Sequence, residues 1–148
     1  GVLAVNPAVP VRSVREMIDY SRRNPGKFSI SNSGVGAAFY MGVELINKLA
    51  GVQIVNVPYK GNEAYTAAAA GEVSGVIGAI TSLKQMEQSG RVRALAVIES
   101  TRFPGLPHLP TIGETIPGFA LPVGFHGFLG PAGLPQPIVK RLHGEVVA

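Results

Sequence analysis

The chain of 148 residues contains no cysteine and no tryptophan, and only 7% of its residues are aromatic. Without cysteine there is neither a disulfide nor a thiolate metal site. The three histidines, His108, His126 and His143, are far apart and form no zinc motif, so neither a metal nor another cofactor is expected. Long apolar runs are missing too, since none approaches the ~20 residues that a membrane span requires. Cations exceed anions only modestly, with Lys+Arg 13 against Asp+Glu 9. Arg12, Arg15, Arg22, Lys48, Lys60, Lys84, Arg91 and Lys140 are dispersed along the chain. Nucleic-acid binding draws on clustered cations interleaved with aromatics, and neither is present. A mild attraction for anions remains.

What is there suits one ordinary core: 46% of the residues are apolar, punctuated by 19 glycines and 12 prolines. The chain opens at Gly1, without methionine, on the strand-like run Val2 to Val5, and is expected to be cut from something longer. Ser13-Val14-Arg15-Glu16 has the spacing of a capping box, followed by an amphipathic helix with Arg22 and Arg23 at its end. Phe28 to Asn32 alternates as a strand. The turn Ser33-Gly34-Val35-Gly36 then leads into a long apolar helix ending near Gly51, whose only polar stripe is Glu44, Asn47 and Lys48. That helix is expected to be packed around most of its circumference. Strands at Gln53 to Val57, Val73 to Gly78 and Val92 to Ile98 alternate with helices at Glu63 to Ala70 and Ser82 to Gln88. The prolines and glycines of residues 101–118 make a surface connection around one helical turn, then a strand at 123–129 and a final helix complete the pattern. Repeated β-α units predict an α/β fold with a mostly parallel sheet flanked by helices.

Two loops carry the candidate chemistry. Asn32-Ser33-Gly34-Val35-Gly36-Ala37 joins a strand to a helix, where free main-chain amides and the helix dipole favour an anion. The same glycines also suit a tight turn with no ligand, and composition does not separate the two. Tyr59-Lys60-Gly61-Asn62 also follows a strand and precedes a helix, so in a parallel sheet it shares an edge with the first turn. Alternatively, Lys60 is a solvated lysine and Tyr59 a packing residue. Phe39 stands where a dinucleotide fingerprint needs its third glycine, and Lys60-Gly61 lacks the rest of a phosphate loop. No Gly-x-Ser-x-Gly elbow exists, and the few carboxylates fall mostly on solvent faces, so neither nucleophilic nor paired-acid catalysis is indicated.

Taken in order, Asn24-Pro25-Gly26-Lys27, Ser33-Gly34-Val35-Gly36, Val57-Pro58-Tyr59-Lys60-Gly61, Gly71-Glu72-Val73, Gly90-Arg91-Val92-Arg93-Ala94-Leu95-Ala96-Val97, Leu109-Pro110-Thr111-Ile112-Gly113-Glu114 and Gly130-Pro131-Ala132-Gly133-Leu134-Pro135 form a series. It resembles the substrate-binding proteins of tripartite tricarboxylate transporters, the Bug receptors. The resemblance implies one lobe of a two-lobed periplasmic-binding-protein fold of type II-like plan, with no enzymatic activity. Such a receptor closes on a small carboxylate and delivers it to the membrane subunits of the transporter. Residues 12–118 would form the second ligand-binding lobe, with residues 1–11 and 119–148 as hinge crossings and a remnant of the first. A signal peptide would lie upstream. The ligand contacts so implied are Asn32, Ser33, Gly34, Val35, Gly36 and Ala37, then Tyr59, Lys60, Gly61 and Asn62, together with Ala79 and Phe125. The family usually has Ser or Thr at the position of Ala37, often His at Tyr40, commonly Asp near Ala79 and frequently Trp at Phe125. The ligand therefore does not carry over from any one relative. Self-association of the fragment, a cytoplasmic ligand-sensing domain and an α/β enzyme stay open as alternatives.

Overall fold

The computed structural model describes residues 1–121 and 130–147; the strand expected at 123–129, with Phe125 and His126, lies outside them. Among the described residues the strands are β1 (Val2–Val5), β2 (Ser29–Asn32), β3 (Val55–Pro58), β4 (Gly75–Gly78) and β5 (Arg93–Val97), in the spatial order β3-β2-β4-β1-β5. β2 is parallel to β3 and β4, with Asn32 opposite Pro58 and Ile30 opposite Gly75. β1 is antiparallel to β4 and β5. The sheet is therefore mixed: four strands share a direction and β1 runs against them. The sequence conceals this, because all four residues of β1 are buried, and a strand covered on both faces is apolar throughout whichever way it runs.

Helices are α1 (Val14–Arg23), α2 (Ala38–Ala50), α3 (Glu63–Ala70), α4 (Ile80–Gln88) and α5 (Gln136–Val147), with a 3-10 turn at Ile112–Glu114. The sheet divides the core in two. Leu3 and Val5 pack with Met17 and Ile18 of α1 and Val43 and Ile46 of α2. Val2 and Ala4 face the other way, toward Ala64, Ala67 and Ala68 of α3 and Leu83 of α4. The alternation along β1 thus serves two layers of helices.

Two expectations need correction. The Ser13 hydroxyl accepts from the Glu16 amide at 3.1 Å, but the Glu16 carboxylate accepts from the Arg12 amide at 2.7 Å, so only half of the expected box forms. The complete box belongs to the 3-10 turn, between Thr111 and Glu114. Helix α2 is also not packed all round. It buries Gly42, Val43, Ile46 and Ala50, while Met41 and Leu49 are 53% and 40% exposed. Apolar residues stand on its outer face beside Glu44 and Lys48, which periodicity alone does not distinguish from core positions.

β3 is an edge strand, blunted by its own chemistry. The Val55 and Tyr59 amides donate inward to the carbonyls of Phe28 and Asn32, which turns residues 56 and 58 outward, and Pro58 has no N–H to offer. At the far end of the chain α5 exposes Ile138, Leu142 and Val146. No helix among the described residues is long and apolar enough to cross a membrane.

Candidate ligand-binding site

The connections after β2 and β4 leave the sheet in opposite directions. β2 continues into α2 and on to β3, while β4 continues into α4 and on toward β5. α2 packs in one core layer and α4 in the other. Because β2 and β4 are adjacent and parallel, their carboxyl ends flank a topological switch point, where an open α/β sheet leaves a crevice between diverging loops.

Asn32 shapes the first wall. Its side chain is fully buried; Oδ1 accepts from the Gly34 amide at 3.1 Å, and Nδ2 donates to Asn56 Oδ1 at 2.5 Å. Asn56 in turn donates to the Tyr40 carbonyl at 3.0 Å and to Glu44 at 2.7 Å, tying β3 to α2. The turn then needs glycine for conformation: Gly34 has φ 121° and Gly36 φ 81°, a region that residues with a Cβ avoid. Crowding is not the reason, since a Cβ on Gly36 would meet nothing within 4 Å. Ala37 caps α2 with no side-chain bond. Among the described residues, the amides of Val35, Gly36, Ala38, Phe39 and Tyr40 have no hydrogen-bond acceptor, which leaves a row of donors at the positive end of a dipole. Ser33 and Val35 are exposed at the mouth.

Loop 59–62 lies against this turn. The Tyr59 amide is spent on the Asn32 carbonyl at 2.9 Å, and a Cβ on Gly34 would sit 3.7 Å from the Tyr59 carbonyl oxygen. The Tyr59 ring is partly buried against the α3 and α4 core, so packing accounts for it. Lys60, Gly61 and Asn62 are exposed, and Lys60 forms no ion pair among the described residues. The structure thus brings the two expected loops to one sheet edge and leaves an ammonium at their rim.

Ala79 closes the other wall as the uncapped N-cap of α4. Its own amide donates to the Tyr65 hydroxyl at 3.1 Å, while the next amides, of Ile80, Thr81 and Ser82, find no acceptor among the described residues. By contrast α1, which starts beyond the opposite edge of the sheet, and the 3-10 turn are both capped by side chains, Ser13 and Thr111. The starts of α2, α3 and α4, which follow the carboxyl ends of β2, β3 and β4, thus lack side-chain caps, unlike those of α1 and the 3-10 turn. Tyr65 escaped sequence reasoning, whereas the α4 end was reached only through the resemblance, at Ala79. The only trace of Tyr65 was a lone aromatic in an alanine-rich helix.

The side chains brought here are hydroxyl, amide and ammonium donors from Ser33, Lys60, Asn62 and Tyr65, an arrangement suited to holding an anion. Among the described residues the strongest electrostatic perturbation lies beyond β5, where Thr111 bridges Val97. There Arg102 grips Glu114 in a fork at 2.9 and 2.7 Å. That bond, then the Thr111 amide, holds the Glu114 carboxyl down at about 2. No cluster of three His, Cys, Asp or Glu that would hold a metal occurs among the described residues.

Fold and crevice together define an α/β ligand-binding lobe of the periplasmic-binding-protein class. The chain belongs to the tripartite tricarboxylate transporter receptor family, whose profile, "Tripartite tricarboxylate transporter family receptor", matches residues 1–147. It is 35% identical over 148 residues to the "UPF0065 protein in tcbD-tcbE intergenic region" of Pseudomonas sp. strain P51, covering 98% of this chain and 44% of that protein. Among solved structures it is similar to R. palustris Rpa4515 with adipate, at TM-score 0.87 and 34% identity over 98% of this chain and 49% of the other. It is likewise similar to the periplasmic binding protein BugD, at TM-score 0.87 and 32% identity over 98% and 49%. The chain spans about half the length of the proteins it matches.

Proposed function

We propose that this chain is one lobe of an extracytoplasmic receptor that captures a small carboxylate and delivers it to the membrane subunits of a tripartite tricarboxylate-type transporter. The observation that carries the reading is the pair of uncapped helix ends, α2 and α4, facing one switch-point crevice. Adipate in the similar Rpa4515 structure supports a dicarboxylate, and the periplasmic relative BugD supports the compartment, with a leader sequence upstream of the receptor. On this reading residues 12–118 are the second lobe, and residues 1–11 and 119–148 are hinge crossings with a remnant of the first. The contacts are the turn 32–37, through the free amides of Val35 and Gly36, the rim of loop 59–62, Ala79 and Phe125 from outside the described residues.

One lobe does not hold the ligand alone. A helix terminus gives a partly buried carboxylate at most ~2 kcal/mol, whereas micromolar affinity needs about 8 kcal/mol. Charge-assisted hydrogen bonds of about 1.5–3 kcal/mol each, made from two lobes in a cleft poor in water, supply it. Calorimetric titration with succinate, malate and adipate tests this. The full-length receptor is expected to bind at least one of them at micromolar concentration or below, and the 148-residue chain to bind none measurably. Submicromolar binding by the chain alone contradicts the two-lobe requirement, and no binding by the full-length protein contradicts the function.

A further inference from the structure

We propose that the Tyr65 hydroxyl is a ligand-binding donor, which with the open end of α4 forms a contact for a carboxylate oxygen on the β4 side of the crevice. The inference rests on the carboxylate-receptor reading above and adds to it a side chain that selects for the ligand.

Tyr65 is 8% exposed, and its ring lies in the second core with Ala64 and Ala68. Its reach to the sheet edge is made possible by Gly78, the last residue of β4. A Cβ there would stand 2.4 Å from the ring carbon Cε1 and 2.8 Å from the hydroxyl oxygen, so any larger residue would push the ring away. The hydroxyl oxygen accepts the Ala79 N–H, which uses its acceptor function and leaves its own proton to be donated elsewhere. Among the described residues that proton has no acceptor. The hydroxyl is partly buried, and phenylalanine would fill the same apolar space but leave the Ala79 amide without its acceptor. The hydroxyl stands beside the first amides of α4, which lack acceptors too, so an anionic oxygen seated there satisfies both. Because the phenol is neutral and fixed by the Ala79 amide, the contact discriminates by position rather than by net charge.

The test is Tyr65→Phe in the full-length receptor, titrated with whichever of succinate, malate and adipate the wild type binds most tightly. Loss of one hydrogen bond to a charged acceptor weakens binding about tenfold or more, and the ligand-free melting temperature also falls because the Ala79 amide loses its acceptor. A residue serving only to cap Ala79 gives the same loss of stability but leaves affinity within about twofold, since the freed amide replaces the lost donor. That result overturns the proposal while leaving the receptor reading intact. Absence of wild-type binding to all three acids overturns both. Independently of any variant, the wild-type Tyr65 ring carbon bearing oxygen, labelled with carbon-13, is expected to shift on ligand addition; an unmoved resonance under saturating ligand also overturns the proposal.

Discussion

Replacing Asn32 with alanine tests whether the first wall of the crevice is held by one buried amide. The side chain is 0% exposed and joins three pieces of backbone: the end of β2, the Gly34 amide at 3.1 Å and, through Asn56 Oδ1 at 2.5 Å, the link to α2. The contact to the Val57 carbonyl, at 3.5 Å, is at the limit of a hydrogen bond and adds little. Two good bonds at about 1 kcal/mol each, plus the cost of orphaning buried partners, give a loss of about 2–4 kcal/mol. Urea unfolding of the ligand-free receptor reads this as a lower midpoint at constant slope. Asn32→Asp sharpens the test. It keeps the acceptor for Gly34 but sets a carboxylate oxygen against Asn56 Oδ1, and it places a negative charge beneath an anion site. Asn56 has no easy relief, because its own amino group already serves Tyr40 and Glu44. Carboxylate affinity is therefore expected to fall further in Asn32→Asp than in Asn32→Ala. A change below about 0.5 kcal/mol in the alanine variant, the range of ordinary surface substitutions, refutes the argument.

Gly36→Ala forces a Cβ into φ 81° with open space around it, so the cost is conformational, about 1–2 kcal/mol; calorimetry is expected to show weaker carboxylate binding as the amide row shifts. Ser13→Ala removes the α1 cap and costs about 1 kcal/mol in thermal unfolding, with affinity unchanged because α1 starts away from the crevice. The Glu114 carboxyl, held at about 2 against an ordinary 4.5, favours the fold in its charged form. That contribution is fully present above the ordinary value and is lost as pH falls toward 2. Arg102→Ala is expected to raise the Glu114 titration midpoint toward its ordinary value, read by carboxyl carbon NMR, and so to diminish this contribution and its acid dependence.

The order of elements was legible because local chemistry dictates it. Ser13 announces α1, the αL glycine Gly51 ends α2, and Gly34 and Gly36 mark the turn that opens it. Both candidate loops fell on one edge for the reason the sequence implied, since β2 and β3 are parallel neighbours. What stayed hidden depends on position in three dimensions. The direction of β1 leaves no mark on a strand buried on both faces. Met41 and Leu49 look like core residues, yet face outward because α2 lies over one side of the sheet only. Asn32 and Tyr59 read as site residues, but their polar groups are largely spent on holding backbone in place. Tyr65 drew no notice in an alanine-rich helix, and its bond to Ala79 exists only once α3 is laid across the end of β4.

The most direct measurement is an amide NMR titration of the full-length receptor with a bound dicarboxylate. The amides of Val35, Gly36, residues 38–40 and residues 80–82 are expected to show the largest downfield shifts and the greatest gain in protection from exchange. Responses centred instead on the opposite edge of the sheet, around Asn6, Ser29 and Ser74, with the two helix ends unchanged, would contradict the account.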